Sequence, residues 1–150
     1  MAEYRFDMFE KAGVAPRADA IIYGIENEFL PFSVASDFEQ WMMENHGVEG
    51  SPEVFAADSK AEALTALDLA GYKNSGSGRD VLRYAALASL GSAGGELLSD
   101  IECVYADFDY PEDMNPFIYY MPSVDCDPSP EKLIARFHAF MAEEKARLNL

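Results

Sequence analysis

Between Leu97 and Phe108 the apolar side chains fall at Leu97, Leu98, Ile101, Val104, Tyr105 and Phe108, the spacing of one face of a helix. A strand would alternate every second residue, and Cys103-Val104-Tyr105, though β-prone, does not sustain that alternation. The same helical rhythm returns in Ile21, Ile22, Ile25 and Phe29, in Val81, Leu82, Ala85, Leu87 and Leu90, and in Leu133, Ile134, Phe137, Phe140 and Met141. No strand–helix–strand unit interrupts it. The expected fold is all-α, a compact array of seven or eight short helices able to stack in pairs. One domain over 1–150 is expected, since a chain of 150 residues can bury about 70% of its unfolded surface around one core.

Capping and breaking residues divide the array. A first helix is expected from Ala2 to Lys11, stopped by Gly13. Pro16 suits the first turn of a second helix that carries Asp19 and runs to about Leu30, with Pro31 ending it. Ser36 or Asp37 can cap a third, which carries Phe38, Trp41, Met42 and His46 and stops at Gly47. Ser51-Pro52 opens a short turn, and Ser59-Lys60-Ala61-Glu62 has the form of a capping box whose helix ends at Gly71. Asn74-Ser75-Gly76-Ser77-Gly78 reads as a flexible linker, lacking the GK[ST] ending of a phosphate loop. Arg79 to Leu90 reads as a buried helix. After the 97–108 helix, Asp109 is expected to cap a new turn, with Glu112 at its reciprocal position. Asn115-Pro116 opens a short helix through Tyr120 that Pro122 stops, and Ser129-Pro130 caps the last helix.

Rings and carboxylates alternate most closely in Tyr105-Ala106-Asp107-Phe108-Asp109-Tyr110-Pro111-Glu112-Asp113, followed by Phe117, Tyr119, Tyr120, Met121 and Pro122. This stretch resembles the C-terminal signature, YADFDYP…YMP, of a bacterial family of uncharacterised small acidic domains. The likeness covers about a third of the chain, from Val81 onward. It implies a helical fold and carries no activity or catalytic residue. Some small acidic bacterial families of this kind serve as immunity proteins in toxin systems.

Charge narrows the function. Twenty-seven acids against eleven bases give a net charge of −16. From Ala18 to Ser59 there are nine acids and no Lys or Arg, and from Tyr84 to Glu131 ten acids and again none. Such a field repels nucleic acid and anionic membranes and steers basic proteins inward. It is also the field of a protein kept soluble by its charge. The favoured role is recognition of a basic protein, in the manner of an immunity or inhibitor protein. Asp107, Tyr110, Asp113, Tyr119 and Tyr120 are its candidate contact residues, since tyrosines bring stiff contact area and the acids can pair with Lys or Arg.

The rival is an enzyme or divalent-metal domain using the Asp107–Asp113 carboxylates, whose oxygens suit a hard cation. On a continuous helix, however, positions 107 and 109 point about 200° apart. Neither histidine has a motif partner, no G-x-S-x-G elbow is present, and Cys126 lies among carboxylates that disfavour its thiolate. The reading therefore leans away from an enzyme and implies no cofactor. Cys103 and Cys126 are expected as reduced thiols, with Cys103 in the core. With no ~20-residue apolar run and no leader pattern at Met1-Ala2-Glu3-Tyr4-Arg5, a cytoplasmic location is expected.

Overall fold

A computed structural model of the chain describes residues 3–91, 95–118 and 129–150. Among them the structure is all-α: α1 (Met8–Ala12), α2 (Ala18–Glu26), α3 (Val34–His46), α4 (Pro52–Ala56), α5 (Lys60–Leu69), α6 (Gly78–Ala88), α7 (Gly95–Asp107), a 3-10 helix (Glu112–Phe117) and α8 (Pro130–Arg147). No strand occurs among the described residues. None of the described helices is long and apolar enough to cross a membrane.

The helix at the centre is α6. Val81, Leu82, Tyr84, Ala85, Ala86 and Leu87 are all buried, so it is apolar around most of its circumference. Its most extensive pairing among the described helices is with α2, and α1, α7 and α8 also pack against it. Ile21, Ile22 and Ile25 supply the apolar stripe of α2. The close approach is made at Gly78, where a β-carbon would collide with the backbone carbonyl of Asp19 and stand 2.8 Å from its carbon.

Asp19 is itself buried and fully occupied. It accepts from Arg17 Nη2 (2.8 Å), from the Ser75 hydroxyl (2.5 Å) and from the Ala20 N–H (2.8 Å). The Asn74–Gly78 segment is thus more than a flexible linker, because Ser75 latches onto α2 and Gly78 already belongs to α6.

Several boundaries differ from those expected, each for a local reason. The first helix begins at Met8 instead of Ala2, because Tyr4 is drawn aside. Its ring meets Phe29 edge-on at 4.9 Å and its hydroxyl donates to Asp107 at 2.8 Å. Pro16 lies outside α2, whose N-cap is Arg17. That helix ends at Glu26, not near Leu30, since the Leu30 N–H returns to the Gly24 carbonyl (3.0 Å). Neither Ser36 nor Asp37 caps α3. A tight turn at Pro31–Ser33 supplies backbone carbonyls to Val34, Ala35 and Ser36, so the helix starts earlier without a side-chain cap.

Other signals act where the sequence puts them. Gly13, Gly47 and Gly71 have φ of 72°, 64° and 96°, the left-handed conformation that ends helices. Ser59 Oγ accepts from the Glu62 N–H (3.1 Å), while the Glu62 carboxylate reaches back one residue further, to the Asp58 N–H (2.8 Å). Ser129 Oγ accepts from the Lys132 N–H (3.3 Å) at the head of α8. Cys103 is a free thiol that is only half-buried, not a core residue.

A buried carboxylate braces α3. Glu39 Oε1 accepts from the Tyr72 hydroxyl at 3.2 Å, and its other oxygen is buried without a hydrogen-bond partner. Burial, then the adjoining Glu39 carboxylate, push the Tyr72 phenol up to about 12. A phenol unfolds to an ordinary value of about 10, so the unfolded chain loses its proton first as the pH rises. The contribution of Tyr72 to stability is therefore full below about pH 10 and lost toward about pH 12. Tyr4, raised further by burial and by Asp107, acts in the same direction. Urea unfolding across this range should show stability falling, and Tyr72→Phe should flatten the fall. The same substitution should lower stability near neutrality by about 1–3 kcal/mol, because it strips Glu39 of its donor.

Candidate partner-binding surface

The stretch rich in rings and acids turns out to be a corner between α7 and the 3-10 helix. Asp109 and Tyr110 both take the left-handed conformation, with φ of 62° and 55°. The Tyr110 N–H reaches back to the Tyr105 carbonyl (2.9 Å) and the Asp109 N–H to that of Ala106 (3.1 Å), closing the end of α7. Asp109 is thus a helix-ending residue and not the expected N-cap. The residue at the cap position of the 3-10 helix is Pro111, and Glu112 is the first residue of that helix with no reciprocal bond. Asn115-Pro116 lies inside this 3-10 helix instead of opening a new one.

Two non-glycine residues in this conformation cost on the order of 1 kcal/mol each, so neighbouring contacts must hold the corner. Arg79 Nη2 donates to the Phe108 carbonyl at 2.6 Å. Phe108 stacks on Phe29 with ring centroids 4.6 Å apart. Tyr105 meets the Tyr110 ring edge-on at 5.3 Å and donates its hydroxyl to Asn115 Oδ1 at 2.7 Å.

The expected contact residues therefore separate. Asp107 is exposed but accepts from Tyr4, and Tyr110 is 56% exposed. Asp113 is half-exposed and paired with Arg83, which donates to both of its oxygens at 2.8 Å. Tyr119 and Tyr120, with Pro122 and Cys126, lie outside the described residues. The carboxylates at 107 and 113 thus serve different partners, and no group of three or more metal-ligating side chains occurs among the described residues.

What the sequence did not reveal is the use of arginine. Arg83 is only 2% exposed, holding Asp113 on the 3-10 helix and Glu144 on α8 (3.0 Å), with its guanidinium 5.2 Å from the centre of the Phe140 ring. Arg147 joins Glu144 to Asp80, closing the network between α8 and α6. Arg17 donates to the Leu148 carbonyl (2.8 Å) and Arg136 to that of Pro116 (3.0 Å). Five arginines (17, 79, 83, 136 and 147) thus bridge elements distant in sequence. Two signals pointed to the central pair: Arg83 interrupts an otherwise apolar run, and Glu144 falls seven residues after Phe137 on the buried stripe of α8.

Arg83 is the buried one of the five, and the other four reach between elements from partly or fully exposed positions. Of the nine acids between Ala18 and Ser59, Asp19 and Glu39 are buried, while Glu26, Glu28, Asp37, Glu44, Glu49, Glu53 and Asp58 are exposed. The segment from Ala18 to Ser59 carries no Lys or Arg, and Lys60 just beyond it reaches Glu28 at 3.5 Å. A bacterial family model, described as "Uncharacterized protein conserved in bacteria (DUF2247)", matches residues 6–145. The chain belongs to that family. Membership of DUF2247 takes in the N-terminal half, which the resemblance from Val81 onward did not reach. No curated protein matches this DUF2247 chain, and no solved structure does.

Proposed function

We propose that this DUF2247 protein recognises a basic protein partner, as an immunity or inhibitor protein does. The observation that carries the reading is the division of charge: arginines bridge helices, and seven acids between Glu26 and Asp58 face solvent without an intervening base. A dense carboxylate surface raises the encounter rate with a basic protein and fixes its orientation. The metal-dependent alternative loses ground because Asp113 is already saturated by Arg83.

Affinity capture from a bacterial lysate tests this at two salt concentrations. A discrete basic protein retained at low salt and released at high salt is the expected result, because screening shortens the reach of exposed charges to ~3 Å at 1 M. Capture of nothing, together with a clear rise in melting temperature on adding Mg²⁺, Mn²⁺ or Ca²⁺, would favour the metal reading instead.

A further inference from the structure

We infer that the groove between α4 and α5 is the docking site, and that its occupant is an amphipathic helix whose apolar stripe is flanked by Lys or Arg. This rests on the reading that the partner is basic. The groove is an open depression of about 440 Å³, lined by Ala57, Ala61 and Ala66 together with Glu53, Glu62 and Leu69. Alanines let a second backbone come close. Leu69 is 76% exposed, the most exposed large apolar side chain among the described residues, whereas Leu67 on the same helix is buried. A lone exposed leucine is ordinary, but one at the mouth of an apolar groove offers an anchor.

Charge selects among occupants. Glu53 and Glu62 line the groove, and the nearby Lys60 borders a different hollow, where it pairs with Glu28 at 3.5 Å. A second copy of this chain, also at −16, would meet this surface against mutual repulsion. A helix with leucines toward the alanines and lysines toward Glu53 and Glu62 satisfies both demands of the site.

The probe is a synthetic helical peptide of about five turns, with leucines at i, i+3, i+4 and i+7 and lysines elsewhere. A scrambled peptide of the same composition is its control. The intact protein should bind the patterned peptide at least about tenfold more tightly than the scrambled one. Leu69→Glu, at an exposed position, should leave the melting temperature unchanged and weaken binding about tenfold, although it adds negative charge. Ala61→Phe, which fills the groove, should do the same.

If both variants bind the patterned peptide as well as the original protein does, the groove assignment is wrong while the basic-partner reading stands. If neither peptide binds, the groove assignment also fails, and capture at two salt concentrations decides the broader reading separately. A concentration-dependent dimer of the protein alone that Leu69→Glu abolishes would make a second copy the occupant and overturn the inference.

Discussion

Arg83→Ala is expected to lower the free energy of unfolding by about 3–5 kcal/mol, a large part of the stability of a domain this size. The guanidinium is buried, and its loss leaves one oxygen of Glu144 without its donor inside the protein. Arg147 still holds the other oxygen, so the carboxylate remains tethered. The contact over the Phe140 ring is lost as well. Asp113 adds little to the effect, because half of its side chain faces water and can rehydrate. Asp113→Asn should therefore lose no more than about 1 kcal/mol. Replacing both members of the buried pair, as Arg83→Met with Glu144→Leu, should recover most of the loss, since no charge is then stranded. Urea unfolding of the set measures each value. Equal losses for Arg83→Ala and Asp113→Asn would place the weight on the wrong carboxylate.

Gly78→Ala is the second large effect, and its sign opposes helix propensity. Alanine in a helix is ordinarily favoured over glycine by about 1 kcal/mol. At Gly78 the new methyl would drive into the Asp19 carbonyl, an atom of the backbone that cannot rotate away. Separating α2 from α6 would also disturb the Asp19–Ser75 latch. The expected loss is about 1–3 kcal/mol. Gly24→Ala makes the comparison, because its methyl meets a side chain instead of backbone, Leu30 Cδ1 at 2.5 Å and Cγ at 2.9 Å. A side chain can shift where a carbonyl cannot, so the loss there should be smaller than at Gly78. A Gly78→Ala protein as stable as the original would mean that the two helices are not in such close approach.

The fold class could be read from periodicity because burial on α7 and α8 follows the 3.6-residue rhythm directly. Stops at Gly13, Gly47 and Gly71 were equally legible, since glycine alone enters the left-handed region without strain. The same conformation at Asp109 and Tyr110 was not, because there it is imposed by Arg79 and the Phe29–Phe108 stack. A carboxylate before a proline looks locally like a cap, and only the distant contacts reveal that it ends one helix instead of starting another. Tyr4 shows the same limit, its ring contact with Phe29 overriding the helical pattern of its neighbours.

The acids of the candidate surface were visible as composition, but their freedom was not. Asp113 and Asp107 are one residue type in one stretch, and only partners far away in sequence separate them: Arg83 for the first, Tyr4 for the second. The groove was hidden for a related reason. Ala57, Ala61 and Ala66 are ordinary small residues by sequence, and nothing local says that together they line an open depression between α4 and α5.

The claim that the exposed acids between Glu26 and Asp58 serve recognition is tested most directly by neutralising acids of that group alone. In one variant Glu44, Glu49, Glu53 and Asp58, all exposed, are changed to Gln or Asn. The quantity to measure is the amount of basic partner retained at low salt, relative to the original protein. Loss of the partner, with a melting temperature equal to or above the original as self-repulsion is relieved, is the predicted result. Full retention of the partner by a folded variant would contradict it.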